Sequence, residues 1–218
     1  MTYDGAASIS GEVIRVTRLN ANGTAAIGPS ASYVTKAFIS VKITPQMEAG
    51  IDITQKAANG SIGIAYKVPD SLKRVNVDVA IYNPDPLLTE MMQGGTILGN
   101  SKGYAAPMFG EVSNPTGVAI EVWSKAILNG RPAAIDPYWR WLIPFVIMRN
   151  TGDRMIQEGV LGTSFTGWGQ GNAGFGTGPT SATPIWPWMS DRAYAYARDA
   201  SIPTIPVGGA GYVATTGP

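Results

Sequence analysis

Val75-Asn76-Val77-Asp78-Val79-Ala80-Ile81-Tyr82-Asn83-Pro84-Asp85-Pro86-Leu87-Leu88-Thr89-Glu90-Met91-Met92-Gln93-Gly94-Gly95 is the stretch whose reading decides the fold. Val75, Val77, Val79 and Ile81 alternate with Asn76, Asp78 and Tyr82, the period of a half-buried antiparallel strand. The period then changes. Asp85 is placed to cap a helix and Pro86 suits its first position. Leu87, Leu88, Met91 and Met92 fall at i, i+1, i+4 and i+5, which makes one apolar stripe. Gly94 supplies the left-handed residue that stops the helix. A helix of about ten residues is marginal alone, so residues 85–93 are expected to pack on the sheet through those four side chains.

Outward from this point the same alternation recurs. A first strand is expected over residues 12–19. Residues 33–43 read as one strand, with Tyr33, Thr35, Ala37, Ile39, Val41 and Ile43 opposed to Lys36, Ser40 and Lys42. Val34 and Phe38 interrupt its polar face. Ile62, Ile64, Tyr66 and Val68 alternate again, as do Val118, Ile120 and Val122. The segment from Trp139 to Met148 is apolar on both faces from Trp141 onward, so both are expected to be covered, one by its own core and the other by a further layer such as another subunit. Pro144 within it points to an edge or a bulge. A last strand is expected over 155–165. The fold class is therefore mainly β: an antiparallel β-sandwich or partial barrel with one short flanking α-helix and extended terminal arms. The domains are an N-terminal arm (1–10), a sandwich (11–179) and an extended C-terminal arm (180–218) that lacks a clear period. The connection 45–61 is longer than a hairpin needs, and loops of that length are usually functional or disordered. Ile51 and Ile53 alternate there with Asp52 and Thr54, which argues for strand-like arms.

Composition narrows the function. Charged residues make up 14% of 218, against roughly 25% on average. The net charge of +1 offers no electrostatic grip on nucleic acid or an acidic membrane. A surface so weakly charged is prone to associate. The chain has no histidine and no cysteine, which removes Ser-His-Asp and thiol catalysis, disulfides, and His- or thiolate-ligated metals. The longest apolar run, 141–148, falls far short of the roughly 20 residues a spanning helix needs, so no membrane partner is expected.

The motifs point the same way. Gly169-Gln170-Gly171-Asn172-Ala173-Gly174 matches GxGxxG, but Phe175-Gly176-Thr177-Gly178-Pro179 follows and cannot start the helix a dinucleotide site requires. Lys102 follows Gly99-Asn100-Ser101 without P-loop spacing. Ser164 lacks the GxSxG context and any histidine to activate it. Glu111 and Glu121 are a conceivable carboxylate pair for glycoside hydrolysis, or simply solvated strand residues. No enzyme activity, cofactor or metal is expected. Trp123, Trp139, Trp168, Trp186 and Trp188 leave open a carbohydrate-binding module, if they are not buried at core and subunit contacts.

The order of these features resembles the major tail tube proteins of siphophages. The strand-into-helix stretch 75–95 carries that resemblance, and the Gly-rich segment 167–179 is similar to that of actinobacteriophage members. The resemblance implies a sandwich or partial barrel that assembles into hexameric rings, stacked into a hollow tube through which phage DNA passes. It implies that the loop 45–61, with Gln46, Met47, Glu48, Ile51, Asp52 and Ile53, contacts the neighbouring ring, and that the terminal arms bridge subunits. The implied partners are further copies of the chain, the tail-tip initiator, the tape-measure protein and the tail terminator. DNA would pass without sequence-specific binding, and the subunit would reside in the virion tail after assembly in the host cytoplasm. A capsid-decorating or head–tail joining protein is the alternative within virions.

Overall fold

The computed structural model describes residues 5–111, 114–150, 162–176, 178–179 and 191–215. Its strands are β1 (Ala7–Arg18), β2 (Gly28–Thr35), β3 (Phe38–Glu48), β4 (Asp52–Lys56), β5 (Ile62–Lys67), β6 (Ser71–Ile81), β7 (Thr96–Leu98), β8 (Gly103–Ala105), β9 (Val118–Leu128), β10 (Arg131–Pro132), β11 (Tyr138–Asn150), β12 (Thr163–Gly169), β13 (Ala195–Asp199) and β14 (Ala210–Thr215). One α-helix, α1 (Pro86–Gln93), follows β6, and a 3-10 turn (Ala173–Phe175) follows β12. Ten strands form one antiparallel sheet in the order β14-β2-β1-β9-β11-β12-β6-β3, with β10 beside β9 and β13 beside β11. The sheet curls without closing. Phe38, at the start of the edge strand β3, sits over Gly11 of β1, which gives a sandwich-like body around one core. Among the described residues the protein is mainly β with one flanking helix.

The alternation of β6 places Val75, Val77, Val79 and Ile81 in that core. They lie opposite Val41 and Ile43 of β3 on one side and Phe165 of β12 on the other. The helix lies where its stripe requires. Leu88, Met91 and Met92 are buried in the same core and Leu87 packs half-buried against it. Asp85 Oδ1 accepts the Leu87 and Leu88 N–H groups at 3.0 and 3.1 Å, and its other oxygen accepts the Tyr33 hydroxyl. Burial first, and the Asp85 carboxylate second, push the Tyr33 hydroxyl above its ordinary value, so it stays a neutral donor. Further along the helix, Arg18 grips Glu90 with both terminal guanidinium nitrogens. Asn114 Nδ2 donates to the Met91 carbonyl at 2.7 Å, and the Asn150 N–H donates to Gln93 Oε1 at 3.0 Å. Gly94, at φ 78°, ends the helix with its N–H on the Glu90 carbonyl.

The opposite face of the central strands is also buried, and a charged cluster lies there among apolar side chains. Arg15 of β1 lies directly across from Glu121 of β9, with Arg140 of β11 on the other side. Glu121 is fully buried. Its Oε2 accepts from Arg15 Nη2 at 2.5 Å, and its Oε1 accepts from Arg140. Burial would raise the Glu121 carboxyl, but the two guanidiniums outweigh it and hold it below its ordinary value.

Several expectations need correction. Residues 33–43 are two strands, not one. The chain breaks at Lys36 and Ala37, where the Ala37 N–H bonds the Thr35 hydroxyl at 2.9 Å, and β2 and β3 end up in different parts of the sheet. The alternation survives the break, which is why it hid the turn. The N-terminal arm does not extend to residue 10, since β1 pairs with β9 from Ala7 onward. Trp139 Nε1 donates to the Ala6 carbonyl at 3.2 Å. The C-terminal segment is not an unpaired arm where it is described: β13 pairs with β11 and β14 with β2. Of the strand expected over 155–165, residues 155–161 lie outside the described residues, and β12 runs from Thr163 into the Gly-rich segment. The second cover of β11 comes from this same chain, because Leu142 packs with Phe175, Ala195 and Ala197. Pro144 falls in the register shift between Ile143 and Val146.

Two outcomes follow. Leu88→Asp puts a carboxylate into the apolar core and is expected to abolish cooperative thermal unfolding by circular dichroism, whereas Asp85→Ala is expected to cost about 1–2 kcal/mol in urea unfolding. Because the Glu121 carboxyl is held low in the folded state, its contribution is present in full above its ordinary value of 4.5 and is lost as pH falls below that. The stability difference between the wild type and Glu121→Gln is therefore expected to shrink on acidification below pH 4.5, measured by urea midpoints.

Candidate assembly surface

Beyond the body, β3 and β6 continue as a two-stranded ladder, with Gln46 opposite Arg74 and Glu48 opposite Ser71. The chain then runs into the hairpin β4–β5. Two bonds fix its base: the Gly50 N–H donates to Asp70 Oδ1 at 3.1 Å, and the Val68 N–H to the Ile51 carbonyl at 3.0 Å. At the tip, Asn59 Oδ1 accepts from the Ser61 N–H and hydroxyl at 3.0 and 2.7 Å. Asn59-Gly60 turns the chain, and Gly60 takes φ 83°.

In an antiparallel pair, directly opposite residues share a face. Ile53 faces Tyr66 and Gln55 faces Ile64, while Asp52 faces Lys67 and Thr54 faces Ala65. One face of the hairpin therefore carries Ile51, Ile53, Gln55, Ile64, Tyr66 and Val68, and the other carries Asp52, Thr54, Ala65 and Lys67; a register shift after Gln55 then sets Ile62 opposite Lys56. Every residue of β4 and β5 is exposed. Ile51 stands 69% exposed, Ile62 63% and Ile64 59%. A two-stranded hairpin is marginal by itself, and one that leaves a contiguous apolar face in water presents a contact surface.

Residues 45–61 are thus not a loop: β3 runs to Glu48 and the hairpin spans Asp52–Lys67. Of the six residues singled out there, Ile51 and Ile53 lie on the apolar face and Asp52 on the other. Met47 is exposed on the ladder, Gln46 Oε1 accepts from Arg74 Nε at 2.9 Å, and Glu48 sits 3.6 Å from Lys73. Ile64, Tyr66 and Val68 complete the face, and Ile62 stands exposed beyond the register shift. Their alternation looked like that of any sheet strand, and the signal that identifies the hairpin is Asn59-Gly60 between two alternating runs.

The remaining candidates have other work. Asn172, inside the GxGxxG match, ties two loops together: its Nδ2 donates to the carbonyls of Gly23 at 2.8 Å and Pro144 at 3.1 Å, and its Oδ1 accepts from the Gly174 N–H. Gly23 takes φ 81°, and a Cβ there would lie 2.4 Å from Asn172 Oδ1, so this corner admits only glycine. The 3-10 turn, not an α-helix, follows the motif. Glu111 is an exposed loop residue accepting from the Met108 N–H at 3.0 Å, while Glu121 is enclosed by its arginines, so the pair shares no cleft. Ser164 is exposed opposite Ala80. Trp123 and Trp139 are buried, Trp168 is half-buried beside Phe145, and Trp186 and Trp188 lie outside the described residues. Among the described residues no group of three or more acidic side chains could hold a metal ion, and no helix is long and apolar enough to cross a membrane. No protein-family model matches this chain, and no curated protein matches it in sequence.

The triple variant Ile53→Ser/Ile64→Ser/Tyr66→Ser is expected to keep a melting temperature close to the wild type's, since these side chains are exposed and belong to none of the buried clusters, and any self-association of the wild type in sedimentation velocity is expected to weaken with it. Asn172→Ala leaves two carbonyls without their donor and is expected to lower stability by about 1–3 kcal/mol in urea.

Proposed function

We propose that this chain is a structural, non-enzymatic subunit of a bacteriophage tail tube, assembling into hexameric rings that stack into a channel for DNA delivery. The observation that carries this reading is the amphipathic hairpin Asp52–Lys67, whose apolar face is uncovered in the monomer although it stands on a fully formed β body. A contact made by such a projection on a different surface of the next copy is head-to-tail, and head-to-tail contacts grow without closing. Among the described residues the sheet ends in two edge strands, β3 and β14, and pairing such edges around a ring would remove the hazard they pose. The near-neutral balance of 16 basic to 15 acidic residues suits a channel that must not retain phosphates.

In this reading the partners are further copies of the chain, the tail-tip initiator, the tape-measure protein and the tail terminator. The site of residence is the virion tail, and DNA passes without sequence-specific contact. The carbohydrate-binding alternative loses two of its stacking residues, since Trp123 and Trp139 are buried.

Electron microscopy of the concentrated protein, with and without tail-tip extract, tests the proposal. Stacked rings with an open channel are expected from the wild type. A variant with residues 51–68 replaced by an Asn-Gly turn is expected to remain folded and unable to elongate. Monomers of the wild type in both conditions would overturn the tube reading, and single unstacked rings would favour the head–tail joining or decorating role. Normal tubes from the shortened variant would remove the hairpin from the contact.

A further inference from the structure

The polar cluster on the outer face of the sheet has no part in the assembly role proposed above. It holds two guanidiniums, Arg15 and Arg140, against one carboxylate from the sheet, Glu121. The second carboxylate comes from the C-terminal segment. Asp199 Oδ2, at the end of β13, lies 3.5 Å from Arg140 Nη1 and accepts from the Trp123 indole N–H at 3.1 Å. Both guanidinium carbons stand 5.2 Å from the Trp123 ring centroid, so the indole is the floor of a cationic pocket. Asp199 Oδ1 meanwhile accepts from the Ser201 N–H at 3.3 Å, which starts the crossing over the sheet. Ile202, Ile205 and Val213 then pack on Val13, Val34 and Trp123. A cleft of about 470 Å³ remains between this segment and the arginines.

Among the described residues the segment enters the sheet through two peripheral ladders, β13 on β11 and β14 on β2. Lifting both leaves every other ladder intact. Counting the described residues, it would also leave the Trp123 indole N–H without its acceptor and Arg140 without the Asp199 carboxylate, beside Arg15 and Glu121. That is the chemistry of a carboxylate-binding site, and in this chain the carboxylate is supplied in cis.

We propose that residues 195–215 form a releasable strap, latched by Asp199 as a tethered ligand in a carboxylate-binding pocket built by Arg140 and Trp123 with Arg15 behind them. Opening is local: β13, β14 and the crossing between them detach together while the core strands stay paired.

Hydrogen exchange on the full-length chain tests this. In Asp199→Asn the amides of β13 and β14 are expected to exchange faster by about tenfold or more, the effect of losing one charge-assisted hydrogen bond, with those of β6 and β12 unchanged. Trp123→Phe keeps an aromatic face but removes the indole donor, and is expected to loosen the same amides to a smaller degree. A synthetic peptide of residues 195–215 added in excess to the Asp199→Asn chain is expected to restore protection at β2 and the N-terminal half of β11. The same peptide carrying the Asn substitution is expected not to. Unchanged exchange in both variants, or acceleration spread evenly over β6 and β12, would overturn the strap.

Discussion

β9 and β11 are buried on both faces, and a strand in that position must have its backbone paired and every charge on it neutralised from nearby. The organisation of the protein follows from meeting that demand twice. On one face the curled sheet and α1 supply apolar cover, with Leu88, Met91 and Met92 closing the core over Ile120, Ile143 and Met148. On the other face the cover is mixed. Glu121 is tolerated at complete burial because Arg15 and Arg140 approach it from the two flanking strands, and Ile202, Ile205 and Val213 of the C-terminal segment pack beside them on Val13, Val34 and Trp123. A buried ion cluster of this kind contributes little net stability beside an apolar one, but removing one partner is costly. It therefore adds to the register specified by the valines and isoleucines of β1, β9 and β11, since a one-residue slip would also separate the charges.

What the sequence made legible was local. The Asp85-Pro86 start, the Gly94 stop and the stripe on α1 depend on residues within one turn of each other, and the structure has them in those roles. The alternation of β6 likewise needs only its own residues. What stayed hidden depends on partners far along the chain. Glu121 alternates with Ile120 and Val122, so it read as outward and hence solvated. Nothing nearby announces that Arg15 and Arg140 will face it or that Ile202 will lie above. The C-terminal segment has no period because it is one layer over an existing sheet, held at one edge by β2 and at another by β11. The break at Lys36 and Ala37 was masked because both sides kept the same phase.

The hairpin was half legible for a related reason. Alternation tells that a strand has an apolar face and says nothing about what covers it. Ile62, Ile64 and Tyr66 carry the same pattern as Val75, Val77 and Val79, yet the first set is exposed and the second buried. The difference is topological: β6 has β3 and β12 beside it and a core beneath, whereas β5 has only β4. An amphipathic strand without a layer under it is unfinished until something else supplies that layer.

The way this hairpin is attached has a mechanical side. It joins the body through the β3–β6 ladder alone, with short bonds at Gly50 and Val68 and no lateral buttress among the described residues. A ribbon two strands wide bends and twists far more readily than a curled ten-stranded sheet. Bodies linked through such ribbons would tilt against one another while each stayed rigid. The compliance of a stack would then reside in the links, so that it could curve under load without any subunit deforming.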